Sequence, residues 1–128
     1  MNKICTSIEQ SQKLIELGID IETSDMHYIE DSSDNPYCEL YASKLNEEAR
    51  KHYNTHYIPA WSLSALMELI PDIIEDYVLR MDKIDGEYYI WYDKIGEGWS
   101  DTIAHPSSKN FIDTAFEMIV WLKENEKI

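Results

Sequence analysis

The chain has 128 residues, of which 25 are Asp or Glu and 11 are Lys or Arg, giving a formal charge of −14 with histidine neutral. Hydrophobic residues make up 44% and aromatic residues 12%, too much for a disordered acidic tail, and a chain of this size buries about two-thirds of its extended surface, enough for one domain without metal or disulfide staples. The acidity argues against direct nucleic-acid binding, whose affinity comes from Lys and Arg displacing counterions, and against docking on anionic lipid.

In chain order, Thr6-Ser-Ile-Glu9 has the form of a capping box and predicts a helix start. Ile8, Leu14, Ile15 and Leu17 supply its apolar side, and Gly18 can take the left-handed conformation that closes it near Leu17. Residues 19–25 read as a connector, 26–30 as a short strand, Asp31-Ser-Ser-Asp-Asn-Pro36 as a turn and 37–41 as the hairpin partner. Residues 46–52 predict a short exposed helix, with carboxylates in its first turn and cations in its last.

Ser62 is the expected N-cap of a helix carrying Leu63, Leu66, Met67 and Ile70, which Pro71 stops. Residues 77–83 and 87–93 are rich in β-formers, and Asp85-Gly86 between them is a favoured hairpin turn. Gly96 and Gly98 open a loop through Trp99, after which Asn110 caps a final helix with a stripe of Phe111, Ile112, Ala115, Phe116, Ile119, Val120 and Leu122. No strands alternate with crossover helices, so the expected class is α+β: a small antiparallel sheet with three to four helices packed mainly on one face, residues 1–128 forming a single globular domain.

No apolar run approaches the roughly 20 residues that span a bilayer, and Met1-Asn-Lys-Ile-Cys5 leads into no apolar stretch with a small-residue cleavage site. A cytoplasmic protein is expected, with Cys5 and Cys38 as reduced structural thiols.

Three segments carry a resemblance: Cys5-Thr-Ser-Ile-Glu-Gln-Ser-Gln-Lys-Leu-Ile-Glu-Leu-Gly18, Ile58-Pro-Ala-Trp-Ser-Leu-Ser-Ala-Leu-Met-Glu-Leu-Ile-Pro71 and Asp113-Thr-Ala-Phe-Glu-Met-Ile-Val-Trp-Leu-Lys-Glu-Asn125. They resemble segments of small uncharacterised proteins encoded by phages, prophages and other mobile elements of anaerobic gut bacteria. The resemblance implies a genomic setting and assigns no activity, cofactor or site residue.

The chemistry-bearing constellations are sparse. His52 and His56 stand four apart, the spacing that places two imidazoles on one helix face for a metal, but the glutamate of H-E-x-x-H is absent and no third ligand is evident. His27 and His105 are isolated, and the chain has no nucleophile elbow or phosphate-binding glycine motif. On the second hairpin strand Tyr88, Ile90 and Tyr92 share one face, and Tyr89 and Trp91 share the other. One face covers the core and the other is covered by a helix or exposed; Trp61, Trp91 and Trp121 also suit core or boundary positions beneath helices. Exposed, the Tyr89 and Trp91 pair, together with Trp99, has the composition of a protein-binding hot spot or of a sugar-stacking platform.

The acids offer a further clue. Glu16, Asp20, Glu22, Asp25, Glu30, Asp31, Asp34 and Glu39 lie between Lys13 and Lys44 without an intervening cation, and Glu68, Asp72, Glu75 and Asp76 lie likewise between Lys51 and Arg80. Such surfaces speed encounter with basic partners, while acidity also serves solubility. The expected function is that of an acidic, non-catalytic protein-binding module of a mobile element, a DNA-mimic-like inhibitor or an adaptor, meeting a basic protein through Glu22, Asp25, Glu30, Asp31, Asp34, Tyr89, Trp91 and Trp99. The alternatives are a metal-dependent hydrolase using His52 and His56 and a carbohydrate-binding module using the exposed aromatics. No catalytic residue and no cofactor is assigned, and the oligomeric state is left open.

Overall fold

The computed structural model describes residues 3–32, 35–41, 57–96 and 101–128. The chain forms two compact units, Met1–Ala65 and Leu66–Ile128.

In the first unit, α1 (Ile8–Glu16) begins one residue later than the Thr6/Glu9 pair predicts. Ser7 Oγ accepts the Gln10 N–H at 3.1 Å and Gln10 Oε1 accepts the Ser7 N–H at 3.0 Å, so the reciprocal box belongs to Ser7 and Gln10. Thr6 is withdrawn from capping because it is fully buried, sharing a 2.7 Å hydrogen bond with Ser11 Oγ and accepting the Trp61 N–H at 3.1 Å. The other end closes as expected. Gly18 sits at φ +90°, its N–H donates to Ile15 O, and the Ile19 N–H reaches back to Leu14 O, each at 3.0 Å, which satisfies two carbonyls the helix would otherwise leave open.

A 3₁₀ turn (Ile21–Thr23) follows, capped by the Asp20 carboxylate on the Glu22 N–H. Strand β1 (Met26–Ser32) then lies between β2 (Asn35–Tyr41) and β3 (Tyr57–Ala60) in an antiparallel sheet of order β2-β1-β3. Each strand of the hairpin runs two residues further toward the turn than 26–30 and 37–41. Cys5, Met26 and Ala60 form a buried cluster, with Tyr28 packed against it and donating its hydroxyl to Thr6 O at 2.8 Å. The helix expected over 46–52 lies outside the described residues. Helix α2 (Leu63–Leu69) starts as predicted, with Ser62 Oγ accepting the Ala65 N–H at 3.2 Å, and ends before Pro71.

The second unit is built on β4 (Ile73–Ile74), β5 (Tyr77–Ile84), β6 (Glu87–Lys94), β7 (Thr102–Ile103) and β8 (Ser107–Ser108). The strand order is β4-β5-β6-β7, with β8 also on β6. Asp85 at φ +52° and Gly86 at φ +80° make the left-handed turn that matches strand twist, so β5 and β6 pair as the sequence predicts. Helix α3 (Phe111–Glu124) is capped by Asn110 Oδ1 on the Ile112 N–H at 2.8 Å. It packs on the β6 face that carries Tyr88, Ile90 and Tyr92: Phe111 stacks at a tilt on Tyr88, ring centroids 5.1 Å apart, and Thr114 Oγ1 donates to Tyr88 O.

Two expectations are corrected here. Among the described residues the strands form two antiparallel sheets rather than one: β1 pairs with β2 and β3, while the β5–β6 hairpin recruits β4, β7 and β8, each two residues long. The buried positions of α3 include Thr114 and Met118, whereas Phe111, Phe116 and Val120 of the expected stripe are half-buried. Thr114 tolerates burial because its hydroxyl shares a 2.6 Å hydrogen bond with Ser108 Oγ and has the Tyr88 and Asn110 carbonyls within reach as acceptors.

Strand β5 has an open stretch. Its Leu79 N–H donates to Asp72 O at 2.8 Å, but beyond that rung, from Arg80 to Ile84, no strand borders its edge away from β6 among the described residues. Asp82 Oδ1 takes up the Lys83 N–H at 2.8 Å.

Tyr92 anchors the strand under α3. It is fully buried and donates its hydroxyl to Pro71 O at 2.7 Å, and burial, reinforced by the Asp72 charge, pushes its phenol well above the ordinary value. In the unfolded chain this phenol ionises near 10, while in the folded chain it keeps its proton, so its contribution to stability is intact below pH 10 and falls above it. The loss for one such group is at most about 1.4 kcal/mol per pH unit. Tyr92→Phe should cost about 1 kcal/mol at neutral pH, through the unpaired Pro71 carbonyl. In urea titrations between pH 8 and 11 the variant should lose stability less steeply than the native chain; parallel slopes would show that the phenol ionises alike in both states.

Candidate functional site

The face of the five-stranded sheet opposite α3 is assembled by register. The two-residue turn pairs Ile84 with Glu87, Asp82 with Tyr89, Arg80 with Trp91 and Val78 with Asp93. Directly opposed residues share a face in an antiparallel pair, so these eight lie together, joined by Ile73 beside Val78, Thr102 beside Asp93 and Ser107 beside Tyr89. Helix α3 occupies the other side of the sheet, that of Ile90 and Tyr92, both fully buried.

Tyr89 and Trp91 are half-buried, whereas Ile73 and Ile84 are 57% and 53% exposed. The charges are three carboxylates, Asp82, Glu87 and Asp93, against one guanidinium, Arg80. Tyr89 donates its hydroxyl to Glu87 Oε2 at 3.4 Å, and the Glu87 charge, with lesser burial, holds that hydroxyl above the usual phenol range. Arg80 Nε stands 3.8 Å from Asp93 Oδ2, with the two side chains 56% and 16% exposed. Asp93 Oδ1 is out of contact with water and has no hydrogen-bond partner among the described residues.

The acids singled out from the first unit fare differently. Glu22 is exposed on the 3₁₀ turn. Asp25 is engaged inside the fold: Oδ1 accepts the Ser62 N–H at 2.9 Å and Oδ2 accepts the Ser62 hydroxyl, so its carboxylate secures the start of α2. Glu30 and Asp31 fall in β1. Asp34, Trp99, His52 and His56 lie outside the described residues, and with them the histidine pair of the hydrolase alternative. Among the described residues no three His, Cys, Asp or Glu side chains gather as a metal would require. Cys5 is buried, and burial pushes its thiol up, against the pull of the Tyr28 hydrogen bond, which is the opposite of what a nucleophilic thiol needs.

Arg80 and Asp93 were missed as candidates, although their place was legible. Once Asp85-Gly86 is taken as a two-residue turn, counting outward sets Arg80 against Trp91 and Asp93 against Val78. No helix among the described residues is long and apolar enough to cross a membrane. Comparison of the chain with models of protein families, with curated proteins and with solved structures finds no match.

Proposed function

We propose that the chain is a non-catalytic protein-binding module whose open sheet face in the second unit receives a basic protein segment. The observation that carries this reading is the placement of half-buried Tyr89 and Trp91 on the side away from α3, among three carboxylates and one guanidinium. Aromatic anchors of this kind dominate protein interfaces, because they bury large area at small entropic cost, and the surrounding acids add attraction and orientation for a cationic partner. An inhibitor that imitates DNA phosphates, or an adaptor of a mobile element, would use a face of this composition.

The reading is tested by titrating the chain with a nona-lysine peptide and an acidic peptide of equal length at 0.1 M and 0.5 M salt, by calorimetry. The basic peptide should bind, more weakly as salt rises, because screening shortens the reach of the exposed carboxylates. Trp91→Ala, measured where its unfolding profile shows the chain folded, should weaken binding by about 30-fold, the equivalent of about 2 kcal/mol for an interface hot spot. Binding indifferent to both salt and Trp91 would refute the proposal.

A further inference from the structure

We infer that the group captured by this face is the guanidinium of a partner arginine, with Asp93 as its anchor and Trp91 as its stacking surface; the inference rests on the binding-module reading above. Asp93 is the incomplete member of the face. One carboxylate oxygen has no donor among the described residues, and the other has only Arg80 Nε at 3.8 Å, beyond hydrogen-bond reach. A carboxylate accepts several hydrogen bonds, and a buried oxygen left without one is costly, so a donor that supplies it gains more than it would at an exposed acid.

The geometry around Asp93 selects the donor. Trp91 lies two residues along β6 on the same face, about 7 Å away at the rise of an extended strand. A planar group can therefore lie against the indole while its edge meets the carboxylate. A guanidinium does both, offering a flat cation to the ring and a fork of N–H donors to two oxygens, whereas an ammonium is a compact, strongly hydrated point charge. Arg80 already stands opposite Trp91 and leaves the carboxylate unfilled. Its side chain is 56% exposed and loosely paired, so it can move aside at little cost. The terminal torsion of an aspartate is broad and roughly two-fold, so the carboxylate can turn to present both oxygens.

The experiment compares nona-arginine with nona-lysine, equal in charge, on the full chain, Asp93→Asn, Arg80→Ala and Asp82→Asn, in 0.1 M salt. The native chain should prefer nona-arginine by about tenfold. Asp93→Asn should abolish that preference while leaving nona-lysine within about twofold. Asp82→Asn, which removes the same charge from the same face, should weaken both peptides alike and keep the preference, and Arg80→Ala should keep or raise it. Equal binding of the two peptides by the native chain, or a preference that survives Asp93→Asn, would overturn the anchor while salt-sensitive, Trp91-dependent binding left the module reading standing. Failure of both peptides to bind would overturn both. Unfolding profiles should show Asp93→Asn at least as stable as the native chain, since the buried oxygen without a donor is costly while charged and the pairing lost with exposed Arg80 is weak.

Discussion

Trp61→Ala should destabilise the protein by about 3–5 kcal/mol, read as a lowered midpoint in urea unfolding. Trp61 is among the largest fully buried side chains, and three separate parts of the first unit meet at it. Its indole N–H donates to Thr23 Oγ1 at 2.9 Å, its backbone N–H donates to Thr6 Oγ1 at 3.1 Å, and its carbonyl accepts the Thr6 N–H at 2.9 Å. Alanine keeps the two backbone bonds but leaves a cavity and removes the link to the 3₁₀ turn. Trp61→Phe separates the two losses. It refills most of the volume and should cost about 1–2 kcal/mol, because Thr23 Oγ1 retains its own bond to Asp20 O. If alanine and phenylalanine prove equally damaging, the hydrogen bond rather than the packed ring would be the dominant contribution.

Asp25→Ala should cost about 2–3 kcal/mol, far above the change of under about 0.5 kcal/mol usual for a solvent-facing acid. The carboxylate receives both the N–H and the hydroxyl of Ser62, and that same hydroxyl oxygen accepts the Ala65 N–H. Removing it leaves a half-buried donor open and lets the capping hydroxyl turn away from α2. Asp25→Asn should recover about half the loss, since an amide can accept from the N–H and donate to the hydroxyl. A double-mutant cycle with Ser62→Ala gives the pair's coupling directly. A cost near zero for Asp25→Ala would return this residue to the solvent-facing set.

Local signals accounted for much of the fold. The left-handed pair Asp85-Gly86 dictated the β5–β6 hairpin and its register, Gly18 the end of α1, and Asn110 the start of α3, because each rests on backbone geometry that a few neighbouring residues decide. Where a local signal failed, a distant contact had overridden it. Thr6, read as the cap of α1, is occupied by Trp61, 55 residues away, and Ser7 caps the helix instead. Strands β4, β7 and β8 are too short to show a hydrophobic period, which hid the second sheet. The candidate face was half-legible: alternation put Tyr89 and Trp91 on the face opposite Tyr88, Ile90 and Tyr92 without telling which was covered, and Asp25 looked like a free surface acid because its partner stands 37 positions later in the chain.

The unbordered stretch of β5 bears on how the protein behaves when concentrated. A naked strand margin invites a neighbour's strand to zip alongside and, repeated from molecule to molecule, to build fibres. Here the margin is short, carries three charges, Arg80, Asp82 and Lys83, in five residues, and has one amide already tied up by its own aspartate. A stranger strand would have to break that internal tie and match the order of charges along the margin, which favours the protein staying unpolymerised.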